Sequence, residues 1–526
     1  MNKGRDFRAF PSVLLGKWKC EFLQKNGAFV KNTLKKVGAI VKISTKMTCA
    51  FVKNLMKISG AFGKNMLKIH GAIVKNRWNT KMFERKIYQE MLRWKEEYAP
   101  QYSLFLKGAR RVGKTTLAEK LGKEAYRSYI LIRFDQVDPT IKELFVNSLR
   151  DLDTLFATLE FIYNTKLYKR QSLIILDEIQ LFPAARQAIK TLLEDGRYDY
   201  LETGSLAGIT KKSKDILIPS EEYTLEVLPM DYEEFLWAQG NQITMPLIRQ
   251  HFESRKAMGA LHQGLMKSFR EYMLVGGMPQ AVKAFVKDKD FGKVDFAKQQ
   301  IINLYKNDME EQNEENSNYV SNFFDRIPSE LSKHDKRYVL SHIEPNARIR
   351  NYKGPIKWLD EAMIINIANK VDDPSAAFNL SISDPSFKCY LMDTGLLISL
   401  AFRDRPYLEN DLYKAVLLDK LQINEGMLIE NMVAQCLKAN GHNAYFYAER
   451  DPITRKPKLE IDFLIRKDKK VVPIEVKSSS SASIKSLQTL KEKYGKRIGD
   501  PIVLHHGEIK HQNNIWYLPY YMASVL

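Results

Sequence analysis

From Met82 onward the apolar and polar positions sort into short strand-like runs separated by helical stretches. Ile87 to Tyr98 (IYQEMLRWKEEY) has the spacing of an amphipathic helix, and Tyr102 to Leu106 (YSLFL) is an apolar, partly aromatic run of strand type. Thr115 to Lys120 opens a helix-forming stretch, Ser128 to Phe134 (SYILIRF) predicts a second strand, and Ile141 to Tyr163 returns to helical spacing. Ser172 to Leu176 is an apolar strand ending in the acids Asp177 and Glu178, and Tyr200 to Ser205 is a further strand ending in small polar residues. Strands separated by helices imply an α/β core, a parallel sheet with helices on both faces. Leu228 to Trp237 reads as a linker into an amphipathic helix. Gly276-Gly277-Met278-Pro279 breaks a helical region and starts another, because glycine relieves φ and proline suits a first helical turn. Near the C-terminus, Glu425 to Asn440 predicts a helix, and Lys458 to Ile465 and Val472 to Lys477 predict strands.

Composition adds limits. At 526 residues the chain has room for about three or four domains. Its 44% hydrophobic and 27% charged content is that of a soluble globular protein. Cys20, Cys49, Cys389 and Cys436 form no close pair and read as reduced thiols of a cytoplasmic protein. No apolar run approaches the length of a membrane span. The net charge of +20 is local: residues 1–81 hold 18 basic and 2 acidic side chains, which leaves 64 basic against 60 acidic over the rest (82 less 18, 62 less 2).

That basic segment carries an 11-residue repeat, with Gly27, Gly38, Cys49, Gly60 and Gly71 opening successive units and Lys31, Lys42, Lys53, Lys64 and Lys75 in one phase. Eleven residues is close to three helical turns, so a lysine face and an apolar face would persist along a helix suited to an anionic membrane surface. The glycines oppose that helix by about 1 kcal/mol each. The other reading is a translated tandem DNA repeat upstream of a true start at Met82. Membrane contact is expected only if the segment is native.

The chemistry centres on Gly108-Ala109-Arg110-Arg111-Val112-Gly113-Lys114-Thr115-Thr116, which fits G-x-x-x-x-G-K-[ST] between a strand and a helix. Backbone N–H groups of such a loop and the helix N-terminus face an anion. Lys114 is expected to reach the β- and γ-phosphates of ATP, and Thr115 to ligate Mg²⁺. Asp177, at the end of a buried strand, would hold the Mg²⁺ shell from the opposite side, and Glu178 would polarise the attacking water. Thr203 or Ser205 is placed to sense the γ-phosphate, and Ser205 is taken as the catalytic candidate. In the last third, Glu430, Asp462 and Glu475 are three acids at one end of a small sheet, where they can hold one or two Mg²⁺ ions, Asp462 and Glu475 as the chief ligands. Lys477, on the face of Glu475 by the period of two, can orient a water.

These segments resemble the prokaryotic AAA-type P-loop ATPases whose C-terminal half is a domain of unknown function ending in a PD-(D/E)xK nuclease-like fold. The matching stretches are GARRVGKTT (108–116), LDEIQ (176–180), TGSLAGI (203–209), LPMDYEEFLWA (228–238), GGMP (276–279), FKCYLMDTGLL (387–397), EIDFLI (460–465) and IEVKSS (474–479), in family order. Residues 1–81 have no counterpart there. The resemblance implies a winged-helix-like middle and a restriction-endonuclease-like end in which Glu430, Asp462, Glu475 and Lys477 match the nuclease pattern. No arginine-finger position stands out; Arg110, Arg111 and Arg186 are the candidates.

The expected division is a basic extension (1–81), an ATPase domain (82–228), a helical and winged-helix-like region (229–400) and a nuclease-like domain (401–526). The leading expectation is an ATPase that uses ATP to switch or position its C-terminal domain. An ATP-gated metal-dependent DNA nuclease and a non-catalytic ATP-dependent module for DNA or an unknown protein partner are the alternatives. Basic side chains between 323 and 358, offset by four acids, leave two readings open, DNA contact or a solvated helical surface used for domain packing.

Overall fold

The computed structural model describes residues 82–526 apart from 206–219, 312–313, 334, 344–347, 375–376, 404–424, 452, 454–456 and 478–483. The repeat at 1–81, with Cys20 and Cys49, lies outside the described residues, as do Leu206 to Ile209, Ser478 and Ser479 of the quoted motifs.

Helix α1 (Ile87–Glu97) leads into β1 (Ser103–Lys107), α2 (Lys114–Ala125), β2 (Ser128–Arg133), α3 (Pro139–Asn147), α4 (Leu152–Tyr163), β3 (Ser172–Asp177), α5 (Pro183–Asp195), β4 (Asp199–Gly204) and β5 (Glu222–Glu226). The strands form one sheet in the order β2-β3-β4-β1-β5, and every pairing is parallel. Strand periodicity sends alternate side chains to opposite faces. Leu104, Leu106, Leu173, Ile175 and Leu201 pack with Trp94, Leu117 and Leu121 of α1 and α2. Phe105, Ile130, Ile132, Ile174, Leu176 and Tyr200 pack with Phe145, Leu159 and Ile189 of α3 to α5. The helical stretch expected from 141 to 163 is two helices, because Asp138 and Asp151 each cap a new start by accepting from Thr140 and Thr154 N–H. The apolar pattern does not predict β5: it is an edge strand whose sequence EYTLE is only partly buried.

The chain then runs through α6 (Tyr232–Ala238), α7 (Thr244–Ser254), α8 (His262–Val275), α9 (Pro279–Asp288), α10 (Phe291–Glu310), α11 (Glu314–Leu331) and α12 (Ile349–Glu361). The Gly276–Pro279 break is architectural. Gly276 has φ 77°, and a Cβ on Gly277 would lie 2.0 Å from the Met230 carbonyl oxygen. That approach lets Met230 N–H donate to Gly277 O at 2.7 Å, while Gly277 N–H donates to the buried Asp393 Oδ2 at 2.5 Å. Gly277→Ala must push two backbones apart, so we expect a loss of about 3 kcal/mol. Denaturant unfolding checks this; an unchanged midpoint would refute the interlock.

After α12 come β6 (Ile365–Val371), β7 (Ile382–Leu391), α13 (Thr394–Ala401), α14 (Glu425–Ala439), β8 (Tyr445–Arg450), β9 (Pro457–Lys467), β10 (Lys470–Val476), α15 (Lys485–Tyr494), β11 (Ile502–His505), β12 (Lys510–Gln512) and β13 (Ile515–Pro519). The strands make a mixed sheet in the order β12-β13-β11-β10-β9-β8-β6-β7. Helices followed by the antiparallel hairpin β6–β7 have the order of a winged helix, but the hairpin is built into this sheet rather than standing free, so residues on both sides of position 400 share one sheet. Helix α14 is buried on every side from Met427 to Leu437. One continuous core includes Trp94, Phe269, Met432 and Phe463, so the sheets and the helices between them are packed as a unit. Among the described residues, no helix is long and apolar enough to cross a membrane.

Candidate active site

The loop between β1 and α2 takes its shape from two left-handed residues, Arg111 with φ 69° and Gly113 with φ 101°. Gly113 is the residue before α2, so the first N–H groups of that helix point out of the loop. Gly108, Ala109 and Val112 are buried, Arg110 half-buried, and Arg111 and Thr116 exposed. Lys114 is 5% exposed and donates to the carbonyls of Gly108 at 2.8 Å and Ala109 at 3.0 Å, folding back across its own loop. Burial lowers its pKa, and the nearby Glu178 and Asp177 carboxylates oppose the shift.

Parallel β3 and β4 bring the strand-end groups to the same edge. Thr115 Oγ1 donates to Asp177 Oδ1 at 2.8 Å, and Thr203 Oγ1 donates to the same oxygen at 2.6 Å. Asp177 is 1% exposed; burial raises its pKa, and the two hydroxyls hold it down. Arg133 Nε lies 3.8 Å from Asp177 Oδ2. A buried carboxylate lined by hydroxyls and short of positive charge fits a Mg²⁺ ion. Glu178 turns out of the strand in a left-handed conformation, φ 57° and ψ 47°, a geometry that is rare for a non-glycine residue and typical of functional sites. Its N–H donates to Thr203 Oγ1 at 3.2 Å, and its carboxylate accepts from Gln180 Nε2. Thr203 therefore joins both acids. Ser205 is half-buried just beyond the strand and makes no hydrogen bond with Asp177 or Glu178.

Three side chains outside the loop support it, two of them from far along the chain. Arg85 is buried and donates to Val112 O at 3.0 Å, Leu228 O at 2.6 Å and Glu234 Oε2 at 3.0 Å. Glu234 also completes a capping box with Asp231 at the start of α6, which is what the LPMDYEEFLWA motif encodes. From α10, Tyr305 O–H donates to Arg110 O at 2.9 Å, and Asp308 pairs with Arg110 at 2.7 Å. Burial pushes the Asp308 carboxyl up to about 6, with Arg110 opposing. Of the arginine-finger candidates, Arg186 is a buried residue of α5 whose guanidinium is held by Glu222 at 2.7 and 2.6 Å, so it is not a free, exposed arginine. Arg110 is tied to Asp308, and Arg111 alone is exposed.

In the second sheet, Glu430 of α14, Asp462 of β9, Glu475 of β10 and Lys477 just after β10 do converge. Lys477 pairs with Glu475 at 2.8 Å, and Asp462 Oδ2 accepts Val476 N–H at 3.0 Å. Lys388 of β7, which the sequence does not single out, stands among them. Its Nζ lies 3.3 Å from Glu430, 3.2 Å from Glu460 and 3.4 Å from Asp462. Lys336 and Tyr390 also bind the Glu430 carboxylate. Burial alone would lower the Lys388 pKa, but the surrounding acids Glu430, Asp462 and Glu460 raise it. Burial pushes Glu475 well up, with Asp462 adding to it. Asp462 is held down at about 2 because Lys388, Lys336 and Lys477 outweigh its burial. Cys389 and Cys436 are buried free thiols.

Comparison with known proteins divides the chain in the same sequence order. Residues 101–236 match the family model described as an AAA domain. Residues 266–406 match Domain of unknown function (DUF8612), and 425–522 match Domain of unknown function (DUF4143). No curated protein matches. Among solved structures the chain is similar to the Walker-type ATPase PABY2304 of Pyrococcus abyssi (16% identity, 61% of this chain and 96% of that one, TM-score 0.37). It is also similar to the Aeropyrum pernix ORC1 protein in complex with DNA (12%, 62% and 94%, 0.25) and AMPPCP-bound DnaA from Aquifex aeolicus (12%, 54% and 91%, 0.20). Residues 101–236 thus match an AAA domain and contain the phosphate-loop sequence with its strand-end acids.

Proposed function

We propose that this chain binds ATP with Mg²⁺ at Gly108–Thr116 and hydrolyses it. The observation that carries the reading is the convergence of Thr115, Asp177, Thr203 and Glu178 beside the N-terminus of α2. Lys114 and the loop N–H groups bind the β- and γ-phosphates, Thr115 and Asp177 hold the metal, and Glu178 accepts the proton of the attacking water. A Mg²⁺ ion held by Thr115 and Asp177 would supply positive charge against the charge developing on the transferred phosphoryl group. Thr203 bridges the two acids and is the better sensor candidate; Ser205 stays in the proposal as a residue next to the phosphate. Phosphate release from Mg·ATP by the full chain tests the activity. A folded preparation that binds ATP without turning it over would leave a nucleotide-binding module instead.

The use of that cycle, in this proposal, is to set the C-terminal domain, 401–526, which we read as nuclease-like in fold. Helix α10 supports the link, since its 20 residues span about 30 Å. At its far end Tyr305 and Asp308 hold Arg110 of the phosphate loop. Nearer its start, Asp295 and Gln299 bond Ser399 of α13, the latter through Ser399 O at 2.8 Å. Nucleotide that moves Arg110 thus pulls on a helix already bonded to α13. We expect ATP to slow amide hydrogen exchange in α10 and α13 as well as in the loop, and Tyr305→Phe to reduce the distant effect. Protection confined to 101–236 would sink the switch while leaving hydrolysis intact.

DNA binding is the second reading, on the exposed Arg348, Arg350, Lys353 and Lys357 at α12. Lys357 already pairs with Glu361 at 3.6 Å, and the surrounding acids leave little net charge, so the switch is the reading we favour.

A further inference from the structure

The acids of the second sheet have the residue types of a divalent-metal centre, but most of their oxygens are already used. Glu430 gives one oxygen to Lys388 and Tyr390 and the other to Lys336. Asp462 gives one to Lys388 and the other to Val476 N–H. Glu475 pairs with Lys477. Four carboxylates, counting Glu460, therefore face three ammonium groups, which leaves no deficit of two positive charges for an ion to fill.

Lys388 is the member that decides the chemistry. Its side chain is 1% exposed, and its nitrogen is within 3.4 Å of three carboxylates contributed by α14 and β9. The backbone at 388 is fixed by pairing with Ala368 of β6 and by a bridge to Arg337, so the side chain has no open side to swing into. A hydrated Mg²⁺ needs about six oxygens at roughly 2.1 Å in octahedral array. To enter here it would have to evict a buried ammonium and leave it unpaired in the protein interior, which is strongly unfavourable. Among the described residues, no group of three or more His, Cys, Asp or Glu side chains is arranged to hold a metal ion.

We propose that the Lys388 ammonium takes the place of the divalent cation, and that the C-terminal sheet is a metal-free module rather than a Mg²⁺-dependent nuclease. The acids and lysines then serve as a buried ionic knot that ties β7 to α14 and β9. The domain acts through its surface, as the part that nucleotide positions, and among the described residues the divalent ion is the one bound with ATP.

The test counts Mn²⁺ on the full chain by the electron-spin-resonance signal of the free ion, at millimolar Mn²⁺, with a non-hydrolysable ATP analogue. The expected result is a single bound ion that disappears with Asp177→Asn, and no ion sensitive to Glu475→Gln. A bound ion lost with Glu475→Gln but kept with Asp177→Asn would overturn the proposal. Lys388→Met gives a second reading in any preparation that keeps its near-ultraviolet dichroism. Removing the ammonium should create a new Mn²⁺ site that Glu475→Gln abolishes. Should the folded variant gain no ion, Lys388 is not standing in for a metal and the proposal fails. If the variant does not fold, the count on the parent chain still decides.

Discussion

Glu178→Gln is expected to lower ATP turnover by about 100- to 10,000-fold, the range for loss of a positioned general base, while ATP affinity stays within a few-fold. Glutamine is isosteric, keeps the left-handed backbone at 178 and can still accept from Gln180 Nε2 through its amide oxygen. The N–H bond to Thr203 belongs to the backbone and survives the change. What is lost is the ability to take a proton from water. The substitution therefore separates chemistry from binding, and the variant should hold ATP long enough to be useful for trapping the nucleotide-bound state. Single-turnover phosphate release, with a parallel ATP titration, measures both. A turnover within tenfold of the parent would remove Glu178 from the role of base, and Asp177, the other acid at the strand end, would have to be reconsidered.

The parts of this site legible in the sequence are those encoded by local spacing. The phosphate loop needs a strand, a turn with two left-handed residues and a helix, and all of them lie within 103–125. Asp177 and Glu178 are legible because an apolar strand buried on both faces must end in something that tolerates the edge of the sheet. Thr203 was one of two polar candidates at the end of β4. The parallel register sets Thr203 beside the β3 acids, and spacing cannot resolve one position in a register.

Groups contributed from far along the chain were not legible. Arg85 reaches Glu234 across 149 positions and Tyr305 reaches Arg110 across 195, and nothing local in either sequence marks a side chain for such a contact. Lys388 is the sharpest case. FKCYL reads as a strand with one polar interruption, and a lysine there is ordinarily solvated at an exposed edge. Only the packing of α14 across β7 turns that position inward, so a pattern of acids that reads as metal-binding closes on a cation from the chain itself. The mixed second sheet was hidden for a related reason. β6 and β7 precede the helix α14 that they pack against, and β6 pairs with β8 from beyond it, so a boundary drawn along the sequence cuts through the sheet.

Lys114→Met is expected to abolish measurable ATP turnover and weaken ATP binding at least 100-fold, which corresponds to about 2.7 kcal/mol. Methionine nearly fills the space of the lysine stem but carries no charge for the phosphates and no donor for the loop. The same change should cost the nucleotide-free protein little. In that state the ammonium is buried against two neutral carbonyls, Gly108 O and Ala109 O, and burial works against its charge. Removing it relieves that desolvation while surrendering two hydrogen bonds of ordinary worth, about 1 to 3 kcal/mol each when the donor is charged. The two effects oppose, so the thermal midpoint without nucleotide should stay near that of the parent, and the upward shift that ATP produces in the parent should vanish. This pairing of outcomes tells a phosphate-binding lysine from a structural one. A large fall in the nucleotide-free midpoint would mean that Lys114 chiefly braces the loop, and an ATP-induced shift that survives would place the nucleotide somewhere other than Gly108–Thr116.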